Sequence, residues 1–229
     1  MVAGEQQHEA GRDGVRRVKR WLESTTRFAV PWDVYGSPNQ TTVKLLSGEA
    51  KGYDIAGHLI GEDGAPGPPF YGEVKNYHSV SDQPALYHEY LARSYSAALE
   101  ATSSEHDPEI EFMWVTWHPF SQTKFLELCG AEEIEQACSS HTKYLGEEQF
   151  DRSFAETLAQ RLWLLIVNPR QDEMTMSKGF LGEVRRFSTM REPCTRPPPW
   201  STTFSPHFMC WWMISCPPPL PRLSVEAVE

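Results

Sequence analysis

The sequence predicts a mixed α/β sandwich, on three observations. Segments with helical apolar spacing alternate with short strand-like runs of β-branched and aromatic residues. Gly- and Pro-rich stretches punctuate them. The chain has 229 residues, 40% hydrophobic and 23% charged, which is enough for one cored domain or a core plus an appendage.

Residues 5–24 open as a helix, because Val15, Val18 and Leu22 recur on one face, while Gly11 and Gly14 weaken its first half. Residues 25–50 carry short apolar pieces, Phe28 to Val30 and Val43 to Leu46, read as strand or loop. Residues 53–60 (YDIAGHLI) and 70–77 (FYGEVKNY) have strand composition and predict a hairpin. The GEDGAPGPP between them is too rich in breakers for regular structure. Residues 82–102 predict a helix capped by Asp82, with Leu86, Tyr90, Leu91, Tyr95 and Leu99 as its apolar face. Residues 110–117 (IEFMWVTW) predict a buried strand ended by Pro119. Helices are then expected around 121–138 and over 151–167. Residues 1–192 form the predicted domain. Near Pro193 the composition changes: nine prolines, three tryptophans and three of the five cysteines lie between there and Pro221. Residues 193–229 are therefore expected to be a poorly ordered tail or a docking segment.

Charge and cysteine usage exclude several classes. A formal net charge of -10 argues against indiscriminate nucleic-acid coating. The apolar runs fall short of the roughly 18 residues of a membrane helix. The opening residues lack an apolar signal region, so a cytoplasmic protein is expected. Cys129, Cys138, Cys194, Cys210 and Cys216 are odd in number and irregularly spaced, so free thiols are the default; His207, Cys210 and Cys216 lack a paired zinc-ligand motif.

The chemistry concentrates in Asp54, Glu73 and Lys75. Glu73 and Lys75 are two apart on one predicted strand, so they share a face. Asp54 lies on the preceding strand and can point the same way. Two converging carboxylates suit a hard divalent cation, and the Val74 carbonyl can add an oxygen. An ammonium beside them can orient water and steady a pentavalent phosphate.

GYDIAGHLI, a loop and YGEVKNY together resemble the D…ExK core of the PD-(D/E)XK superfamily of restriction-endonuclease-like proteins. The resemblance covers roughly residues 5–118, and Tyr53 stands where the family's proline would be. It implies a restriction-endonuclease-like core, a central mixed sheet with helices on both faces. It implies that Asp54 and Glu73 bind Mg²⁺, with Mn²⁺ as substitute, and that Lys75 assists the attacking water. Relatives add an acid from the first helix. Glu9 and Asp13 are the candidates here, and Glu9 is taken as the further catalytic and metal-binding acid. Glu9 nevertheless lies nearly opposite the apolar stripe, and in relatives with a GRxGE signature the acid's position corresponds to Val15. Gln83 is a candidate site residue from the following helix, Tyr77 a sheet-packing residue, and His58 a further candidate ligand on the Asp54 strand face. Arg16, Arg17, Lys19 and Arg20 could hold phosphates or form a solvated face.

The expected function is thus an Mg²⁺-dependent DNA endonuclease, in restriction or anti-phage defence. Two other readings stand beside it: a catalytically silent nuclease-like binding or assembly subunit, and an RNA-directed nuclease. The expected partner is nucleic acid, DNA before RNA, and no membrane. Cutting both strands needs two active sites, which points to a homodimer or a protein partner in a larger defence complex.

Overall fold

The stripe of Val15, Val18 and Leu22 forms as expected, wholly buried on α1 (Val2–Thr25). The computed structural model describes residues 2–76, 82–103, 109–174, 179 and 182–183. The strands after α1 are β1 (Phe28–Asp33), a small ribbon of β2 (Thr42–Lys44) and β3 (Ala50–Gly52), then β4 (Ile55–Ile60) and β5 (Pro66–Lys75). Helix α2 (Gln83–Thr102) crosses over to β6 (Glu111–Thr116). Helix α3 (Ala131–Ser140), preceded by a 3₁₀ turn over Gln122–Glu127 where the helix around 121–138 was expected to begin, then α4 (Arg152–Ala159), β7 (Leu162–Ile166) and three further 3₁₀ turns complete the described elements.

The main sheet has the order β1-β4-β5-β6-β7. β1, β4 and β5 run antiparallel, whereas β6 and β7 join in parallel. The chain is therefore α/β, with a mixed five-stranded sheet flanked by helices. Below the sheet, α1 lays its stripe on Phe28, Val30, Ile55, Phe70, Met113 and Val115. Above it, α2, α3 and α4 pack on Tyr53, Phe112 and Trp114. Gly14 lets α1 come close: a Cβ there would stand 2.6 Å from Cβ of Asn76, at the end of β5.

Three expectations need correction. Residues 151–167 are a helix and a strand, not one helix. α4 is capped by Asp151, whose carboxylate accepts from the Ser153 and Phe154 amides, and it ends at Ala159. The all-apolar LWLLI that follows carries no period to tell strand from helix. Its parallel pairing with β6, from Phe112↔Leu162 to Thr116↔Ile166, decides it. Second, β5 begins inside the Gly/Pro stretch. Pairing with β6 starts only at Phe70, so Pro66, Pro68 and Pro69 lie on an edge, where missing N–H groups are tolerated. Third, Asp82 precedes α2 without a side-chain capping bond. Tyr77, the segment 193–229 and its His207, Cys194, Cys210 and Cys216 lie outside the described residues. Among the described residues no helix is long and apolar enough to cross a membrane.

Candidate active site

The ladder between β4 and β5 stops at Ile55↔Gly72. One residue earlier, at the bend before β4, Asp54 still donates its N–H to the Gly72 carbonyl at 3.0 Å, and its own carbonyl accepts from Val34. Beyond that point the side chain takes over. Asp54 Oδ2 accepts from the Val74 N–H at 2.7 Å. The carbonyl of a strand residue leaves on the same edge as its N–H, so the Val74 carbonyl faces the Asp54 side of β5.

Glu73 and Lys75 alternate with Val74 and share the opposite face from it. Val74 joins the core under α1, while Glu73 and Lys75 point toward α2. Lys75 Nζ donates to Glu73 Oε1 at 2.6 Å and lies 5.4 Å above the ring of Trp114. Glu73 retains only 8% exposure. Arg93, from the middle of α2, brings its guanidinium to 3.7 Å from the same Glu73 oxygen. It sits over the ring of buried Tyr53. Two carboxylates and two cations thus gather at the end of β5. Burial, and then the charge of Glu73, push the Asp54 carboxyl up to about 6, against the opposing pull of the Val74 amide, Lys75 and Arg93.

A polar bridge extends from this cluster. Thr116 lies opposite Lys75 in the β5–β6 register, and its hydroxyl donates to Gln83 Oε1 at 2.7 Å. Both side chains are fully buried, and Gln83 Nε2 has no hydrogen-bond partner among the described residues. On the other side Tyr35 falls within electrostatic reach of Asp54, since burial and then the Asp54 charge raise its hydroxyl's pKa. Arg12 stacks over the Tyr35 ring at 5.1 Å.

Asp54, Glu73, Val74 and Lys75 therefore meet, and Gln83 lies one hydrogen bond and one sheet rung away. The other candidates do not join them. Glu9 is exposed on α1 and completes no three-acid set: among the described residues no group of three or more His, Cys, Asp or Glu side chains is placed to hold a metal. Asp13 is engaged by Arg16 at 2.6 Å. His58 pairs with Ala29 and Pro69 further along β4, roughly 13 Å from Asp54 by strand rise. The basic cluster is partly neutralised: Arg16 is held by Asp13, Lys19 by Asp33 at 3.7 Å, and Arg17 stacks on Trp117.

Arg93, Tyr35 and Arg12 escaped the sequence reading. Arg93 did leave a signal. It follows Tyr90 by three residues, so a charge sits on the apolar stripe of α2.

The donor atoms here are of the type a hard cation takes. The two carboxylates and the Val74 carbonyl are all oxygen donors. One of the two Glu73 oxygens, Oε1, already carries the Lys75 ammonium at hydrogen-bond distance. No family model, no curated protein and no solved structure matches this chain.

Proposed function

We propose that the chain is a metal-dependent phosphodiesterase acting on nucleic acid, DNA before RNA, with a PD-(D/E)XK-type site of Asp54, Glu73 and Lys75. One observation carries the reading: at the ragged end of β5, the Asp54 carboxylate sits on the amide between Glu73 and Lys75, and Lys75 touches Glu73. Burying such a cluster is costly, and apolar side chains of similar volume would generally serve a purely structural role as well or better. The order of elements also supports it. Helix α1, the β4–β5 hairpin, the crossover helix α2 and the parallel strand β6 follow the helix–hairpin–helix–strand order that the D…ExK resemblance implies.

Asp54, Glu73 and the Val74 carbonyl would hold Mg²⁺ or Mn²⁺, which when bound draws charge from a phosphate oxygen. Lys75 acts on the other reactant. Its ammonium has donors but no lone pair, so it orients the attacking water and offsets charge building on the phosphoryl oxygens. Hydrolysis forms one P–O bond to the water oxygen and breaks one ester P–O bond. The departing alkoxide takes up a proton, and the water gives one to solvent. Gln83 and Thr116 tie α2 to β6 at the rung opposite Lys75.

A second reading has its own support. Two carboxylates and two cations already balance, so the cluster can serve as an internal brace in a catalytically silent binding subunit. The test is cleavage of plasmid, single-stranded DNA and RNA with Mg²⁺, Mn²⁺ or EDTA, for the wild type and Lys75→Ala. The nuclease expectation is metal-dependent cleavage that falls about a hundredfold or more in Lys75→Ala, with the fold intact by circular dichroism. A wild type that cleaves none of the three substrates with either metal leaves the brace.

A further inference from the structure

We propose that Arg93 receives the substrate phosphate and supplies the second fixed positive charge of a one-cation site, in the place of a second metal ion. The inference rests on the phosphodiesterase reading above, and it starts from the acids. A two-metal site needs carboxylates to share between its ions, yet only Asp54 and Glu73 meet at the end of β5, and no third acid joins them among the described residues.

Charge then points to Arg93. Asp54 and Glu73 contribute two negative charges, and Lys75 and Arg93 two positive ones. A single divalent cation would bring the sum to plus two. A phosphodiester carries one negative charge, and its pentavalent transition state about two, so the sum closes near zero when the reaction needs it to. Without Arg93 the same transition state would leave the site short by one positive charge. With a second divalent cation it would be over-compensated by two.

The geometry leaves the guanidinium free to do this. At 3.7 Å from Glu73 Oε1, Arg93 is within ion-pair range but beyond a good hydrogen bond, while Lys75 holds that oxygen at 2.6 Å. Arg93 Nε is buried without a hydrogen-bond partner among the described residues, so it is the Nη edge of a side chain 14% exposed that an incoming phosphate would meet. A guanidinium offers five donors in a planar fork that matches two phosphate oxygens, and here that fork is mostly unused. Its position is set in advance. It rises from a buried turn of α2 and lies over the ring of Tyr53, whose hydroxyl is bonded to Ser94. A lysine would carry the charge but not the fork.

The experiment pairs Arg93→Gln with Arg93→Lys and reads binding before catalysis. Mn²⁺ is titrated into the nucleic-acid-free protein by electron paramagnetic resonance. A fluorescent 30-nucleotide single-stranded DNA is then titrated in Ca²⁺. Removing a positive charge beside Glu73 should tighten Mn²⁺ binding in Arg93→Gln by about threefold or more, a direction that damage to the fold does not produce. The same variant should bind the DNA about tenfold more weakly, and cleave about a hundredfold more slowly in Mg²⁺. Arg93→Lys should keep the wild-type Mn²⁺ affinity and recover only part of the DNA affinity. The wild type should take one Mn²⁺ per chain, with and without DNA. Two Mn²⁺ per chain in the complex, or Arg93→Gln equal to a cleaving wild type in Mn²⁺ and DNA binding, overturns the proposal and leaves the nuclease reading standing. Should Arg93→Gln fail to fold, Arg93→Lys decides alone: equality with the wild type in DNA affinity and cleavage overturns it. A wild type that neither binds Mn²⁺ nor cleaves removes the nuclease reading and this proposal together.

Discussion

The two faces of the sheet are built from different materials. Under α1 the core is almost purely apolar: Val15, Val18, Leu22, Val30, Ile55, Met113 and Val115. Under α2 it is aromatic and wet in chemistry. Tyr53, Tyr87, Tyr90 and Tyr95 are buried there, with Ser94, Ser96, Thr116, Gln83 and Glu73 among them. Hydroxyls are bonded in pairs, Tyr53 to Ser94 at 3.2 Å and Ser96 to the Tyr144 carbonyl at 2.6 Å. The α1 face contributes stability by burial. The α2 face must satisfy each polar group it buries, and it leaves Gln83 Nε2, Arg93 Nε, Tyr90 Oη and Trp114 Nε1 without partners among the described residues. A protein maximising stability alone would have made both faces alike. The proposed site accordingly lies on the α2 side.

The largest expected effect tests the apolar face. Leu22→Ala removes a fully buried side chain at the last turn of α1, against the sheet. It should cost about 3 kcal/mol in urea unfolding and leave metal-dependent cleavage per folded molecule near wild type. Equal losses of stability and specific activity would show that the two faces do not divide the labour.

Next comes a gain. Burial and Glu73 raise the Asp54 carboxyl in the folded chain from an ordinary 3.8 to about 6. The folded state thus prefers the protonated form. That contribution is fully present below about pH 3.8 and is lost as the pH rises through about 6. At pH 7 the ionised carboxylate therefore weighs against folding, by up to roughly 3 kcal/mol at about 1.4 kcal/mol per unit. Asp54→Asn, still able to accept from the Val74 amide, should be more stable than the metal-free wild type by about 2 kcal/mol at pH 7. The gap should close toward pH 4. Urea melts at the two pH values measure it, and an Asn variant that is weaker at pH 7 contradicts the picture of a strained site face.

The same contrast explains what was legible in the sequence. The α1 face declared itself through Val15, Val18 and Leu22, because a dry face needs only one periodic stripe. Glu73 and Lys75 were legible because strand alternation fixes a shared face without any tertiary knowledge. Asp54 was legible as a candidate, but its hold on the Val74 amide depends on β4 turning away at Ile55, which no local pattern encodes. Arg93 was hidden because its partner, Glu73, lies on another element twenty residues earlier; the clue was a charge where the stripe through Tyr90 called for an apolar residue. β7 was misread because LWLLI is apolar on both faces, as a strand in parallel pairing is, and so lacks period. Glu9 was chosen by residue type and helix alone, and it is exposed, because Val15, Val18 and Leu22 set the rotation of α1.

The smallest effects separate two glycines that the sequence treats alike. Gly11 and Gly14 both sit inside α1, where alanine is intrinsically better by about 1 kcal/mol. A Cβ on Gly14 would stand 2.6 Å from Cβ of Asn76 and 3.3 Å from its amide group. That neighbour cannot swing away, since Cβ is fixed to the backbone, and its Nδ2 donates to the Ala10 carbonyl at 2.9 Å. A Cβ on Gly11 would instead meet Tyr35 Oη at 2.9 Å, the far end of a side chain that is 40% exposed and can shift. Gly14→Ala should therefore lose about 1 kcal/mol net, as overpacking outweighs propensity. It should also slow cleavage severalfold, because Asn76 directly follows Lys75, the last residue of β5. Gly11→Ala should be neutral or gain a few tenths of a kcal/mol. Thermal melts of the pair check the sign. Equal behaviour of the two variants would mean that α1 does not press on the end of β5 at Gly14.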